Sequence, residues 1–131
     1  MRRKDESVET KFHPELTAFL FEVDDYYRDK PYEGLENDGA FVMITSGSEQ
    51  SARHGKSSLH YATPCCAADI RTWVRWQHLA GTELSPKKQH DDIEYLRNKY
   101  CSYIKMPTDW IEVILEADHI HIEYQPKRIA A

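Results

Sequence analysis

Histidines and a carboxylate alternate with apolar residues near the C-terminal end of this 131-residue sequence. In the segment His119-Ile120-His121-Ile122-Glu123-Tyr124, side chains two positions apart point to the same face of a β-strand. The pattern predicts that His119, His121 and Glu123 share one face, while the three apolar side chains pack on the core. Imidazole and carboxylate groups are metal-ligand types, although an exposed polar strand face gives the same pattern.

A second group with metal-ligand chemistry lies earlier, where His60 precedes Asp69 in the stretch Ala67-Ala68-Asp69-Ile70. A carboxylate among apolar residues costs solvation free energy unless it is paired or bound to a metal. Its alternative partner is a nearby arginine, either Arg71 or Arg75. Taken with one histidine of the pair, His60 and Asp69 complete a set of two imidazoles and one carboxylate. Three protein ligands with one open position are the composition of a catalytic zinc site.

Acidic residues directly before the histidine pair suit a catalytic role beside such a metal. Asp118 and Glu116 lie there, and a carboxylate near the metal can take the proton from a zinc-bound water, whose pKa falls to about 7. A competing hypothesis places His60 with Cys65 or Cys66 in a structural zinc site. The spacing of these residues matches no standard structural pattern such as CxxC, and three cysteines do not indicate a disulfide framework.

Apolar periodicity and turn residues indicate the elements that must position these side chains. The predicted elements, in chain order, are a flexible N-terminal segment (1–12), a helix (14–30), a buried strand (41–44), a long loop (45–64), a strand or strand-to-helix segment (66–76), a helix (86–103) and two strands (110–115 and 119–124). This order favours a single α+β domain over residues 1–131, with a largely antiparallel β-sheet and flanking helices.

Composition and charge narrow the possible classes of function. Hydrophobic residues make up 40% and charged residues 30%, as in ordinary globular domains. The formal net charge of −5 argues against a general nucleic-acid binder, which needs a basic face. No stretch approaches the roughly 18 apolar residues of a membrane span, so we expect no membrane insertion. No apolar run follows the charged N-terminus, so we expect synthesis in a cytoplasm without a signal peptide.

Four segments together resemble zinc D-alanyl-D-alanine carboxypeptidases and related phage endolysins, a group with a hedgehog-like metallopeptidase fold. The segments are Ile44-Thr45-Ser46-Gly47, His54-Gly55-Lys56-Ser57-Ser58-Leu59-His60-Tyr61, Ala67-Ala68-Asp69-Ile70-Arg71 and Asp118-His119-Ile120-His121-Ile122-Glu123-Tyr124. The family pattern is Ser-x-His, then Gly-x-Ala-x-Asp, and later Asp/Glu-x-x-His or His-x-His. The resemblance covers roughly residues 41–126, and its motifs occur in the family's order.

The resemblance implies a Zn²⁺-dependent peptidase that cleaves peptidoglycan stem peptides, as a D-Ala-D-Ala carboxypeptidase or an L-Ala-D-Glu endopeptidase. We expect the chain to be a monomer. The implied residues are three metal ligands (His60, Asp69 and His121), an acid/base (Asp118, with Glu116 as its rival), a histidine beside the metal that hydrogen-bonds the tetrahedral intermediate (His119), and substrate-binding residues (His54, Arg53 and Arg71). It also implies action on the cell wall after release from the cytoplasm, as for a phage-encoded lysis enzyme.

The sequence departs from the family pattern in two places. The family usually spaces its first histidine and aspartate seven apart, whereas His60 and Asp69 are nine apart and the intervening glycine is missing. Many relatives also carry an arginine soon after Thr-Ser-Gly, where this chain continues Ser48-Glu49-Gln50. Two alternatives therefore stay open: a non-catalytic zinc-binding module that keeps the peptidase fold, and a virion-associated structural protein.

Overall fold

The computed structural model describes residues 1–28, 42–49, 60, 64–72 and 85–125. The helices and strands within them, in chain order, are β1 (Arg2–Arg3), α1 (Pro14–Arg28), β2 (Met43–Ser46), β3 (Ala67–Arg71), α2 (Pro86–Ile104), β4 (Ile111–Leu115) and β5 (His119–Tyr124). A short 3₁₀ helix, Thr108–Trp110, leads into β4. The described part of the chain is a small α+β domain, as the order of predicted elements indicates.

The five strands form one sheet in the order β1-β2-β3-β5-β4. Antiparallel pairing joins β2 to β3, β3 to β5 and β5 to β4. β1 instead pairs with β2 in parallel, so the sheet is mixed, while its other pairings confirm the prediction of a largely antiparallel sheet. The parallel pair forms because α1 lies between β1 and β2 in the chain and provides the crossover that parallel neighbours need.

The N-terminal segment 1–12, predicted to be flexible, is instead part of the fold. Val8 is 1% exposed and Phe12 is also buried, so both side chains belong to the hydrophobic core. Backbone hydrogen bonds attach the segment to the rest of the domain, including one of 3.0 Å from Cys65 N to Lys11 O. Two widely spaced apolar residues in a charged stretch give no periodic pattern, although their burial stabilises the packed segment.

Helix α1 covers one face of the sheet through the apolar stripe that the sequence predicts. The stripe residues are all buried: Leu16, Phe19, Leu20, Val23 and Tyr27. The helix begins at Pro14, where a missing N–H costs nothing, and is described to Arg28. The remainder of the predicted range, 29–30, lies outside the described residues.

Helix α2 confirms the prediction over 86–103 and extends it by one residue. Ser85 is the N-cap, and its side chain accepts a hydrogen bond of 3.1 Å from Lys88 N, with Pro86 following at the first turn. The helix ends at Ile104, and the C-cap residue Lys105 adopts the left-handed conformation with φ 59°. The apolar residues that it buries are Ile93, Leu96 and Cys101.

The strand predictions are confirmed with shifted ends. β2 continues to Ser46 rather than ending at Ile44, because its polar end still pairs with β3. β3 covers Ala67–Arg71, and the rest of the predicted 66–76 segment lies largely outside the described residues. Most of the predicted loop 45–64 lies outside them as well. In the part of the chain that the structure describes, no helix is long and apolar enough to cross a membrane.

Candidate metal centre

The register of β3 and β5 brings the sequence-predicted site residues to one face of the sheet. Asp69 lies opposite His121, and Arg71 lies opposite His119. Directly opposed residues on antiparallel strands project to the same side, with Cβ atoms roughly 5 Å apart. The alternate residues of both strands are buried in the core. The same two-residue period therefore serves the core on one face and a polar site on the other.

Three of these residues form a group that could hold a metal ion. His60, Asp69 and His121 each offer one ligand atom, and the three atoms lie within 4.8 Å of one another. His121 Nδ1 is 2.7 Å from Asp69 Oδ1, and His60 Nε2 is 3.5 Å from the same oxygen. The nine-residue spacing between His60 and Asp69 thus does not keep them apart.

His60 is held by a backbone carbonyl on the side of the ring away from Asp69. Its side chain is 1% exposed, and Nδ1 lies 2.8 Å from Gly47 O. Because a carbonyl oxygen only accepts, the neutral ring carries its proton on Nδ1 and directs the Nε2 lone pair toward Asp69. Metal-binding histidines are commonly oriented in this way, by a hydrogen bond from the ring nitrogen that does not bind the metal.

His121 lies between two carboxylates. Its Nδ1 faces Asp69, and its Nε2 is 2.6 Å from Glu123 Oε1. Burial opposes protonation, but the two carboxylates outweigh it and raise the pKa of His121 to about 9. Glu123 is thus in a position to support His121 from behind the site. The alternation along β5 already placed Glu123 on this face, but the sequence analysis gave it no role at the site.

Asp69 is buried, and neighbouring histidines offset the free-energy cost of burying its charge. Burial would raise the pKa of the Asp69 carboxyl group, but the hydrogen bond from His121 outweighs this effect and holds that pKa well below its ordinary value. The alternative of an ion pair with Arg71 is wrong, because the ion-pair partners of Asp69 among the described residues are histidines. The other alternative, Arg75, lies outside the described residues.

The predicted catalytic residues meet at the β4–β5 turn. His119 Nδ1 is 2.6 Å from Asp118 Oδ1, while its Nε2 is 3.4 Å from Glu116 Oε2. The same Nε2 is 3.7 Å from Asp69 Oδ1, so the His119 ring connects the turn to the metal-ligand group. The side chains of Asp118 and Glu116 are 77% and 48% exposed, which leaves both carboxylates accessible to a substrate.

A pocket of about 200 Å³ lies beside Asp69. The residues that line it are Lys4, Thr45, Ser46, Asp69, Asp118 and His119. Lys4 is the lining cation among the described residues, and it comes from the segment after β1. Sequence reasoning missed Lys4 because no local signal indicates that a charged N-terminal residue reaches this face. Of the predicted substrate-binding residues, Arg71 shares the site face, whereas His54 and Arg53 lie outside the described residues.

The competing hypothesis of a structural zinc site, formed by His60 with Cys65 or Cys66, is wrong among the residues that the structure describes. Cys65 is buried, and its Sγ donates a hydrogen bond of 3.2 Å to Ala67 O. Burial raises the pKa of the Cys65 thiol to about 11, which disfavours the thiolate that binds metals. Within the described ranges, no cysteine belongs to a group with metal-ligand spacing.

Comparisons with protein-family models, with curated proteins and with solved structures give no match for this chain. The interpretation of the site therefore depends on its own residues and their geometry.

Proposed function

We propose that this protein is a zinc-dependent peptidase with a hedgehog-like metallopeptidase fold, and that it hydrolyses stem peptides of bacterial peptidoglycan. The observation that carries the proposal is the convergence of His60, Asp69 and His121 within 4.8 Å beside an open pocket. The resemblance to this family of the four sequence segments, which contain these three residues, supports the same conclusion.

The donor set of the centre suits zinc. Two imidazole nitrogens and one carboxylate oxygen are ligands that zinc accepts, and three protein ligands leave a position for water or substrate. Both histidines also have a second ring nitrogen near an oxygen acceptor, Gly47 O for His60 and a carboxylate for His121. A zinc ion held there supplies Lewis acidity toward the scissile carbonyl and toward a water molecule.

In the proposed reaction, Asp118 transfers the proton. Its carboxylate accepts a proton from the attacking water as the new C–O bond forms, and delivers that proton to the amine nitrogen as the C–N bond breaks. Asp118 lines the pocket with Asp69, which favours it over Glu116. His119 contacts Asp118 through Nδ1, and in the proposed reaction its ring donates a hydrogen bond to the developing oxyanion.

Lys4 supplies positive charge for substrate recognition in the proposed site. Both candidate substrates carry a free carboxylate on the residue that provides the leaving amine, either the terminal D-Ala or the side-chain-linked D-Glu. A lysine ammonium beside the pocket attracts that carboxylate. Lys4 thus takes a role that the sequence analysis gave to arginines, and Arg71 remains a second candidate on the same face.

The test is metal analysis together with hydrolysis assays on the full chain. We expect about one zinc per chain and metal-dependent release of either D-Ala or an L-Ala-linked fragment from purified muropeptides. The two products distinguish the carboxypeptidase from the endopeptidase. Absence of zinc after incubation with excess metal would contradict the proposal.

A second candidate is a zinc-binding module without catalysis. The favouring observation is that Asp118 is largely exposed and contacts His119 rather than a metal ligand. This candidate predicts about one zinc per chain in both the parent protein and Asp118→Asn. It also predicts that neither protein hydrolyses either muropeptide bond.

A further inference from the structure

The turn after β2 is held by one carboxylate. The side chain of Glu49 accepts a hydrogen bond from Gly47 N at 2.8 Å to Oε1, with Oε2 3.1 Å from the same nitrogen. It also accepts from Ser46 Oγ at 2.6 Å and from Glu9 N at 3.0 Å. A single side chain therefore connects the end of β2, the turn and the N-terminal segment.

The peptide unit between Gly47 and Ser48 is held on both sides. Its N–H, from Ser48, donates to Glu9 O at 2.8 Å, and its C=O, from Gly47, accepts from His60 Nδ1 at 2.8 Å. The turn is also tightly packed, because a Cβ added at Gly47 would lie 2.0 Å from Glu9 O. The carbonyl that orients His60 therefore has little freedom to rotate while the Glu49 hydrogen bonds are in place.

We infer that Glu49 is a positioning residue for the metal centre, which acts through the Gly47 turn to hold His60 with its proton on Nδ1 and its Nε2 directed at the metal. Glu49 touches none of the three ligands, so its action is indirect. The inference rests on the proposed function for the identity of the metal, whereas the orientation of His60 is a property of the metal-free chain.

The electrostatics of the turn agree with this role. Burial opposes ionisation of Glu49, but hydrogen bonds donated by Ser46, Glu9 and Gly47 outweigh it and hold the pKa of this carboxyl group below its ordinary value. The side chain is therefore an anion at neutral pH. Hydrogen bonds from backbone N–H groups to a carboxylate are stronger than those to a neutral acceptor.

The experiment compares Glu49→Gln and Glu49→Ala with Glu9→Gln in the full-length protein. Glu9→Gln is the matched control, because it removes a carboxylate from the same neighbourhood and leaves the Glu9 backbone groups in place. The first measurement is the zinc dissociation constant, by competition with a chromophoric chelator. The second is the tautomer of His60 in the metal-free protein, from ¹⁵N NMR of its imidazole. Circular dichroism verifies that each variant folds.

We expect zinc binding to weaken roughly 10- to 100-fold in Glu49→Ala, and less in Glu49→Gln, which keeps one acceptor oxygen. We also expect the Nδ1–H tautomer to dominate in the parent and in Glu9→Gln, and a mixture of tautomers in Glu49→Ala. If Glu49→Ala does not fold, the same two measurements on Glu49→Gln decide.

Folded variants with unchanged zinc affinity and an unchanged His60 tautomer would overturn the inference. A parent protein that binds no zinc would overturn the proposed function instead, and the tautomer measurement would still test the role of Glu49.

Discussion

Among the residues that the structure describes, two groups of histidine and carboxylate side chains have metal-ligand spacing, and they differ in how they are built. His60, Asp69 and His121 come from distant parts of the chain and are buried or half-buried. His90, Asp91 and Glu94 lie on successive turns of α2, and Asp91 is exposed. Sequence proximity alone brings the second group together, whereas the first needs the folded sheet.

The partners of the two groups differ as well. On α2, Lys87 is 2.9 Å from Asp91, and Arg97 is 3.5 Å from Glu94, so cations already neutralise the carboxylates. His90 Nε2 lies 3.2 Å from the carbonyl oxygen of Val113. Exposed pairs of this kind contribute little to stability, because solvent screens their attraction. Proximity of ligand types is therefore a weak indication of a metal site unless burial and oriented ring nitrogens accompany it.

The largest expected effect is the loss of zinc on removal of a ligand. Asp69→Asn and His121→Ala should lose the bound zinc and all metal-dependent hydrolysis, because two protein ligands do not hold the ion against buffer. The matched variants His90→Ala and Glu94→Gln should keep about one zinc per chain. Elemental analysis of the purified proteins measures this. Loss of zinc in the α2 variants alone would reverse the comparison between the two groups.

The next effect separates chemistry from metal binding. Asp118→Asn should lower kcat by about 10²- to 10⁴-fold with zinc retained, because it removes the group that transfers the proton. Glu116→Gln should have a smaller effect, since the Glu116 carboxylate lies against the His119 ring and does not line the pocket that Asp118 and Asp69 share. Steady-state kinetics on muropeptides, with metal content measured in parallel, tests this. A larger loss of kcat in Glu116→Gln than in Asp118→Asn would mean that Glu116, rather than Asp118, transfers the proton.

The pH dependence of zinc binding should reflect His121. In the metal-free protein its pKa of about 9 exceeds the ordinary 6.5, so the imidazolium stabilises the fold, and this stabilisation is fully present below pH 6.5. This contribution is lost as the pH rises through 9. Zinc must displace that proton, so its apparent affinity should rise up to about tenfold per pH unit between those values. Calorimetric titration measures how the stability and the zinc affinity depend on pH. A zinc affinity that does not change with pH would contradict the assignment of the raised pKa to His121.

Glu123→Gln should weaken zinc binding by about 10- to 100-fold without abolishing it, because the carboxylate behind His121 Nε2 raises the basicity of that ligand. Its cross-strand neighbour offers the control, since Glu112 pairs with Glu123 in the sheet and contacts Gln125 instead. Glu112→Gln should leave zinc affinity unchanged. Chelator competition measures the zinc affinity of both variants. It tests whether a carboxylate that binds no metal but contacts a ligand histidine strengthens this centre, a feature that would distinguish it from the α2 group.

The smallest effect concerns substrate recognition. Lys4→Met should raise KM by about fivefold and leave kcat unchanged, because an exposed charge pair is worth about 1 kcal/mol. Lys99→Met, in the groove between α1 and α2, is the matched control and should leave KM unchanged. Initial rates at low and high salt measure this, and the effect of Lys4→Met should decrease as salt increases.

Much of the fold was predictable because the signals are local. The apolar stripe of α1, the Ser85-Pro86 start of α2 and the alternation along β5 each depend on a few neighbouring residues. β1 was not predictable, since two arginines have no strand period, and its pairing with β2 depends on where the folded core places that edge. The flexible N-terminal prediction failed for the same reason.

By itself, the sequence determined which side chains share a face of β5 and which residue types are present for metal chemistry, because both are properties of local order and composition. Only the tertiary structure decided that His121 meets Asp69, 52 residues away, and that Glu49 and Lys4 reach the same region. Strand register and the packing of the N-terminal segment bring these groups together. Both depend on how the whole core packs, and no short stretch of sequence contains that information.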